Sequence, residues 1–89
     1  MRAIVTVVGK DRVGIIAEIC VLLSSFGVNI LDINQTVMQE FFTMSMLVDT
    51  TQATVEFGDL VENLSKKGEE MGMKIRVNRE DLFNAMHKS

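Results

Sequence analysis

A ferredoxin-like βαββαβ sandwich is the fold class that this 89-residue sequence predicts. The class is α+β: a four-stranded antiparallel sheet, two helices on one face, and a short C-terminal helix. Three observations lead there. Four short stretches are β-branched or alternate apolar with polar residues. Two longer stretches between them carry apolar residues at helical spacing. A weak internal repeat joins the halves: FGVNI at 26–30 and MGMKI at 71–75 each end a helix on glycine and open a strand.

The elements follow in order. RAIVTVV at 2–8 is β-branched and short, as a strand should be. Asp11 then stands where an N-cap would accept backbone N–H bonds, and a helix runs from there to about Phe26 and stops at Gly27. A second strand covers 28–38, and Gln39-Glu40 fits a tight turn. FFTMSMLVD at 41–49 alternates, with Phe42, Met44, Met46 and Val48 inward. A second helix spans about 55–71 and closes at Gly72. The fourth strand, 73–79, points Met73, Ile75 and Val77 inward. EDLFNAMHKS reads as a short terminal helix, so the chain divides into a domain at 1–79 and a helical tail at 80–89. Right-handed crossovers leave the second and fourth strands at the edges.

Composition narrows the function. A net charge of −3 argues against a nucleic-acid or membrane surface. The single cysteine, Cys20, sits in an apolar helical stretch and reads as a core residue of a reduced, cytoplasmic protein. With His87 the one histidine, neither thiol–imidazole catalysis nor a Cys/His metal site is expected. The apolar run 13–23 contains Glu18 and is too short to span a bilayer, and the N-terminal run ends too early for a signal peptide.

The two helices differ. In the second, Phe57, Leu60, Val61, Leu64, Gly68 and Met71 make one stripe among charges. The first has two stripes side by side: Val13, Ile16, Cys20 and Leu23, and Ile15, Ile19, Leu22 and Phe26. So wide an apolar surface calls for a second cover, either the terminal helix or another subunit. The fourth strand carries Lys74, Arg76 and Arg79, charges that discourage edge pairing. The long second strand has no proline and only Asp32, so it invites pairing. The expected result is a symmetric side-by-side homodimer, or a higher homo-oligomer, built on the first helix and second strand. In the terminal helix, Leu82, Phe83 and Met86 form an apolar patch that either covers the core or docks a protein partner.

GKDRVG at 9–14 is the stretch with the look of a site. It is not a nucleotide loop, because Gly14 is followed by two isoleucines and not by lysine with a hydroxyl. Acylphosphatases share the fold class, and Arg12 with Asn34 could play their arginine and asparagine, but the loop lacks their pattern. RNA-recognition domains stack bases on third-strand aromatics, and Phe41 and Phe42 lack the basic-glycine-aromatic setting. A helix N-terminus remains, whose free N–H groups attract a carboxylate while Gly14 admits a close ligand. The residues alone favour the plainer reading, in which Asp11 simply caps the helix and Gly14 packs against the sheet.

GKDRVGIIAEICVLLSSFGVNILDI resembles the ACT domain, whose loop usually reads Asp/Asn-Arg-Pro-Gly and whose second strand opens Gly-Val/Ile-Asn-Ile. The ending VNREDLFNAMHKS, with ILDINQTVMQEFFTMSMLVD, is similar to small stand-alone ACT proteins of bacteria and archaea, grouped with the ACT repressor of the glycine-cleavage system. The resemblance implies a non-catalytic regulatory protein without a cofactor that binds a small amino-acid-like ligand between two subunits. It implies a ligand site at Lys10, Asp11, Arg12, Val13, Gly14 and Ile15 of one subunit and at Asn29 and Ile30 of the other. The implied dimer interface holds Ile15, Ile19, Leu22, Phe26, Asn29 and Leu31. The alternative is a ligand-free assembly module that uses the same fold to dimerise. Val13 stands where the family usually has proline.

Overall fold

The computed structural model describes residues 1–81 and has the expected order: β1 (Arg2–Lys10), α1 (Ile15–Ser25), β2 (Asn29–Met38), β3 (Phe41–Asp49), α2 (Phe57–Met71) and β4 (Met73–Arg79). The four strands form one antiparallel sheet in the order β2-β3-β1-β4, so β2 and β4 are the edges. The terminal-helix patch, Leu82, Phe83 and Met86, lies outside the described residues.

Period-two patterning sets the core. Ala3, Val5 and Val7 of β1 and Phe42, Met44, Met46 and Val48 of β3 are buried on the helix side. Met73 and Ile75 of β4 join them, while Val77 is half-buried. From α2 come Leu60, Leu64, Gly68 and Met71, four members of the expected stripe, with Phe57 and Val61 at its margin. From α1 come Ile15, Ile19 and Leu23. Each large side chain so buried stabilises the fold by about 1.5–3 kcal/mol.

The start of α1 departs from the sequence reading. Asp11 is not the cap: it lies four residues before the helix, and its N–H donates to the Glu40 carbonyl at 2.8 Å. Gly14 is the cap, with φ 88°, and its carbonyl accepts the Glu18 N–H at 3.0 Å. The left-handed backbone is what demands glycine here. A β-carbon on Gly14 would meet nothing within 4 Å, so packing against the sheet is not the reason.

The end of α1 follows the expected pattern. Gly27, with φ 72°, donates to the Ser24 carbonyl at 3.0 Å, and Val28 donates to the Leu23 carbonyl at 3.0 Å. These two bonds make a Schellman motif and turn the chain into β2. Two residues join β2 to β3, and Gln39 takes a φ of 56°, a twist that suits a two-residue hairpin. Within β2 the register shifts between Ile30 and Asp32, leaving Leu31 as a bulge.

Candidate functional site

The loop after β1 is held at both ends. Asp11 is tied to the β2–β3 turn through Glu40, and Arg12 pairs with Glu18 on α1. Glu18 also reaches Lys67 of α2 at 3.7 Å, so one carboxylate links the loop to both helices. Beside the loop lies a cleft of about 480 Å3, lined by Asp11, Arg12, Gly14, Ile15, Ile16, Ala17, Gln35, Val37 and Phe42. Its wall is the first turn of α1, whose leading N–H groups have no partner within the helix. Its floor is apolar, its rim carries both charges, and β2 supplies the amide of Gln35. The arrangement suits a small zwitterion with a carboxylate at the helix start and an ammonium near Asp11.

The expected site residues divide into three groups. Asp11, Arg12, Gly14 and Ile15 line the cleft together. Lys10 ends β1 opposite Phe41, on the sheet face away from the helices, and Val13 is 95% exposed to solvent. Asn29 and Ile30 stand at the far end of the sheet, where Asn29 pairs with Asp49 and Ile30 with Val48. Asn29 and Met38 are nine steps apart along extended β2, about 30 Å. A single chain therefore does not bring the two halves of the predicted site together.

Asn29 has a cleft of its own, about 460 Å3, with Ser24, Gly27, Val28, Asp49, Thr51 and Gln52. The Asp49 carboxyl there lies below its usual value of 3.8. The Thr51 hydroxyl bond is the largest cause, then the Thr51 backbone N–H at 2.9 Å, with the amino terminus adding to both.

The proposed interface also needs correction. Ile15 and Ile19 are 2% and 0% exposed, so they belong to the chain's own core and have almost no surface for a partner. Leu22 and Phe26 are half-buried against that core, while Asn29 and Leu31 are exposed. On the helix side, Ile33 and Val37 of β2 and Val21 of α1 are also exposed, while Ile16 and Cys20 are half-buried like Leu22 and Phe26. Gln35 and Val37 were not expected at the site. Their signal was present in the sequence, since they share a face with Ile33 at period two. Among the described residues no group of three or more His, Cys, Asp or Glu side chains could hold a metal, and no helix is long and apolar enough to cross a membrane.

Comparison with known proteins agrees with this architecture. The model of the ACT domain matches residues 2–78. The chain belongs to the ACT domain family. A UPF0237 protein of Listeria innocua is 49% identical over 88 residues, spanning 99% of both chains. An ACT domain protein from Streptococcus pneumoniae superposes with a TM-score of 0.80 at 35% identity, covering 100% of this chain and 96% of the other. A candidate glycine cleavage system transcriptional repressor superposes with a TM-score of 0.76 at 25% identity, covering 86% of this chain and 44% of that one. The resemblance read from the loop and the second strand therefore holds. ACT domains are typically regulatory, ligand-binding modules.

Proposed function

We propose that this ACT protein is a non-catalytic regulatory protein that binds a small amino-acid-like ligand between two subunits. One observation carries the proposal: the two halves of the expected site lie at opposite ends of β2, an edge strand whose outer side no described residue pairs. Antiparallel pairing of β2 with β2 of a second copy, centred on the strand, sets Asn29 of that copy against Met38. Met38 leads into the turn that holds Asp11, so the start of that copy's β2 comes to the end of the sheet where the loop cleft lies. Ile33 and Val37, 39% and 51% exposed, supply apolar surface for the same contact.

A ligand carboxylate would sit at the first turn of α1, and Asp11 or the incoming Asn29 amide would take the ammonium. A ligand-free assembly module is the second reading, favoured by the Asp11 carboxylate in the cleft, which repels a ligand carboxylate. Calorimetry against the twenty amino acids separates the two. Binding of one, weakened by Gly14→Ala and by Asn29→Ala, supports the sensor. Binding of none by a dimeric protein supports assembly, and a protein monomeric at micromolar concentration removes both.

A further inference from the structure

We infer that the open face of the sheet is a docking surface for an acidic amphipathic helix of another protein. Both helices pack on one side, and no element among the described residues covers the other. Strand alternation puts Arg2, Lys10, Lys74 and Arg76 on that open side, against Asp32 and Asp49. Arg2 is bound to Glu80 at 2.6 Å, and Asp49 faces the amino terminus at 3.7 Å. Lys10, Lys74 and Arg76 have no ion-pair partner among the described residues. The chain as a whole is acidic, and α2 carries Asp59, Glu62, Glu69 and Glu70 against Lys66 and Lys67. Charge is therefore segregated across the thickness of the molecule, basic on the sheet face and acidic on α2.

Apolar groups stand among these cations. Val8, Phe41 and Met38 are 43%, 58% and 70% exposed, and a cleft of about 280 Å3 is lined by Thr6, Val8, Lys74 and Arg76. Lys74 and Arg76 are two residues apart on β4, about 7 Å. Carboxylates at i and i+4 of a helix are about 6 Å apart along its axis, which matches. A helix is also the element that commonly covers a bare sheet face.

A second copy placed face to face would set a basic surface on a basic surface, with Asp32 the main relief. Single-stranded nucleic acid would find one aromatic platform, Phe41, and two carboxylates on the same face. The acidic helix fits both the charge and the apolar groups.

The test titrates the full chain with a synthetic Glu/Leu amphipathic peptide of about 16 residues, about 24 Å as a helix. The same peptide with Lys in place of Glu, and oligothymidylate, serve as controls. Fluorescence anisotropy and backbone amide shifts are read. Expected is binding of the acidic peptide alone, with shifts centred on Val8, Phe41, Lys74 and Arg76. The double variant Lys74→Glu/Arg76→Glu should weaken it about tenfold or more, and salt of about 1 M, where the Debye length is about 3 Å, should do the same. Phe41→Ala should weaken it at any salt. All these positions are exposed, and unchanged melting of each variant excludes misfolding as the cause. Preferential binding of the oligonucleotide, shifts on α2 instead of the sheet, or no binding at low salt would each overturn the proposal.

Discussion

A β-carbon built on Gly68 of α2 would lie 2.7 Å from the carbonyl oxygen of Met73 on β4. Helix and strand approach so closely that only glycine fits between them. In a free helix, alanine is more stable than glycine by about 0.5–1 kcal/mol. Here the sign reverses, because the nearest atom is backbone and cannot move aside. Gly68→Ala should lower stability by about 1–3 kcal/mol, the usual cost of overpacking. Urea denaturation measures it, and a stabilised variant would contradict the contact.

Ile19 belongs to the chain's own core. Ile19→Ala should therefore cost about 2–5 kcal/mol in denaturant unfolding. Val21 on the same helix is 69% exposed, and Val21→Ala should change unfolding by less than about 0.5 kcal/mol. Equal effects of the two would restore Ile19 to an interface.

Ile33→Lys with Val37→Lys places two charges on the free side of β2 while the core stays intact. Sedimentation should then show a dimer for the parent and a monomer for the variant, with far-UV circular dichroism unchanged. A variant that still dimerises would place the interface elsewhere.

Gly14 needs its left-handed φ, and its surroundings are open. Gly14→Ala should destabilise by about 1–2 kcal/mol through backbone strain alone. Gly14→Asn should lose less, since asparagine visits that conformation more readily. Thermal melting distinguishes them. Equal losses would point to packing at Gly14.

Asp49 contributes a pH-dependent part of the stability. Its folded value lies below the ordinary 3.8, so its bonds to Thr51 stabilise the fold above that value and are lost as pH falls through the lower folded value. The stability gap between wild type and Asp49→Asn should be steady near neutrality and shrink only in that acidic window. Thr51→Val should raise the Asp49 value, as carboxyl NMR titration would show. A gap that closes nearer pH 7 would implicate a different group.

Much of the fold was legible because its signals are local. Period-two alternation marked Phe42, Met44, Met46 and Val48, and glycines 27 and 72 marked both helix ends. The start of α1 was misplaced at Asp11. Asp11 is a good capping residue by type, but the chain is still bonded to the Glu40 carbonyl there, a contact 29 positions away in sequence. Part of the cleft lining was legible for the same reason. Asp11, Arg12, Gly14 and Ile15 are consecutive or nearly so, whereas Gln35 and Val37 reach the cleft only through the register of β2 on β3.

The sequence by itself determined the order of elements, the strand faces, the turn positions and the family. Each depends on neighbours within a few residues, or on motifs that the chain carries in one piece. Tertiary structure alone decided which apolar residues of α1 face inward and which stay exposed. It also decided that Gly68 must be glycine, that Asn29 and the Gly14 loop lie at opposite ends of β2, and that basic residues gather on the side of the sheet away from the helices. Those features depend on distances between segments far apart in the chain, set by the packing of helix on strand and by the pairing register of the sheet.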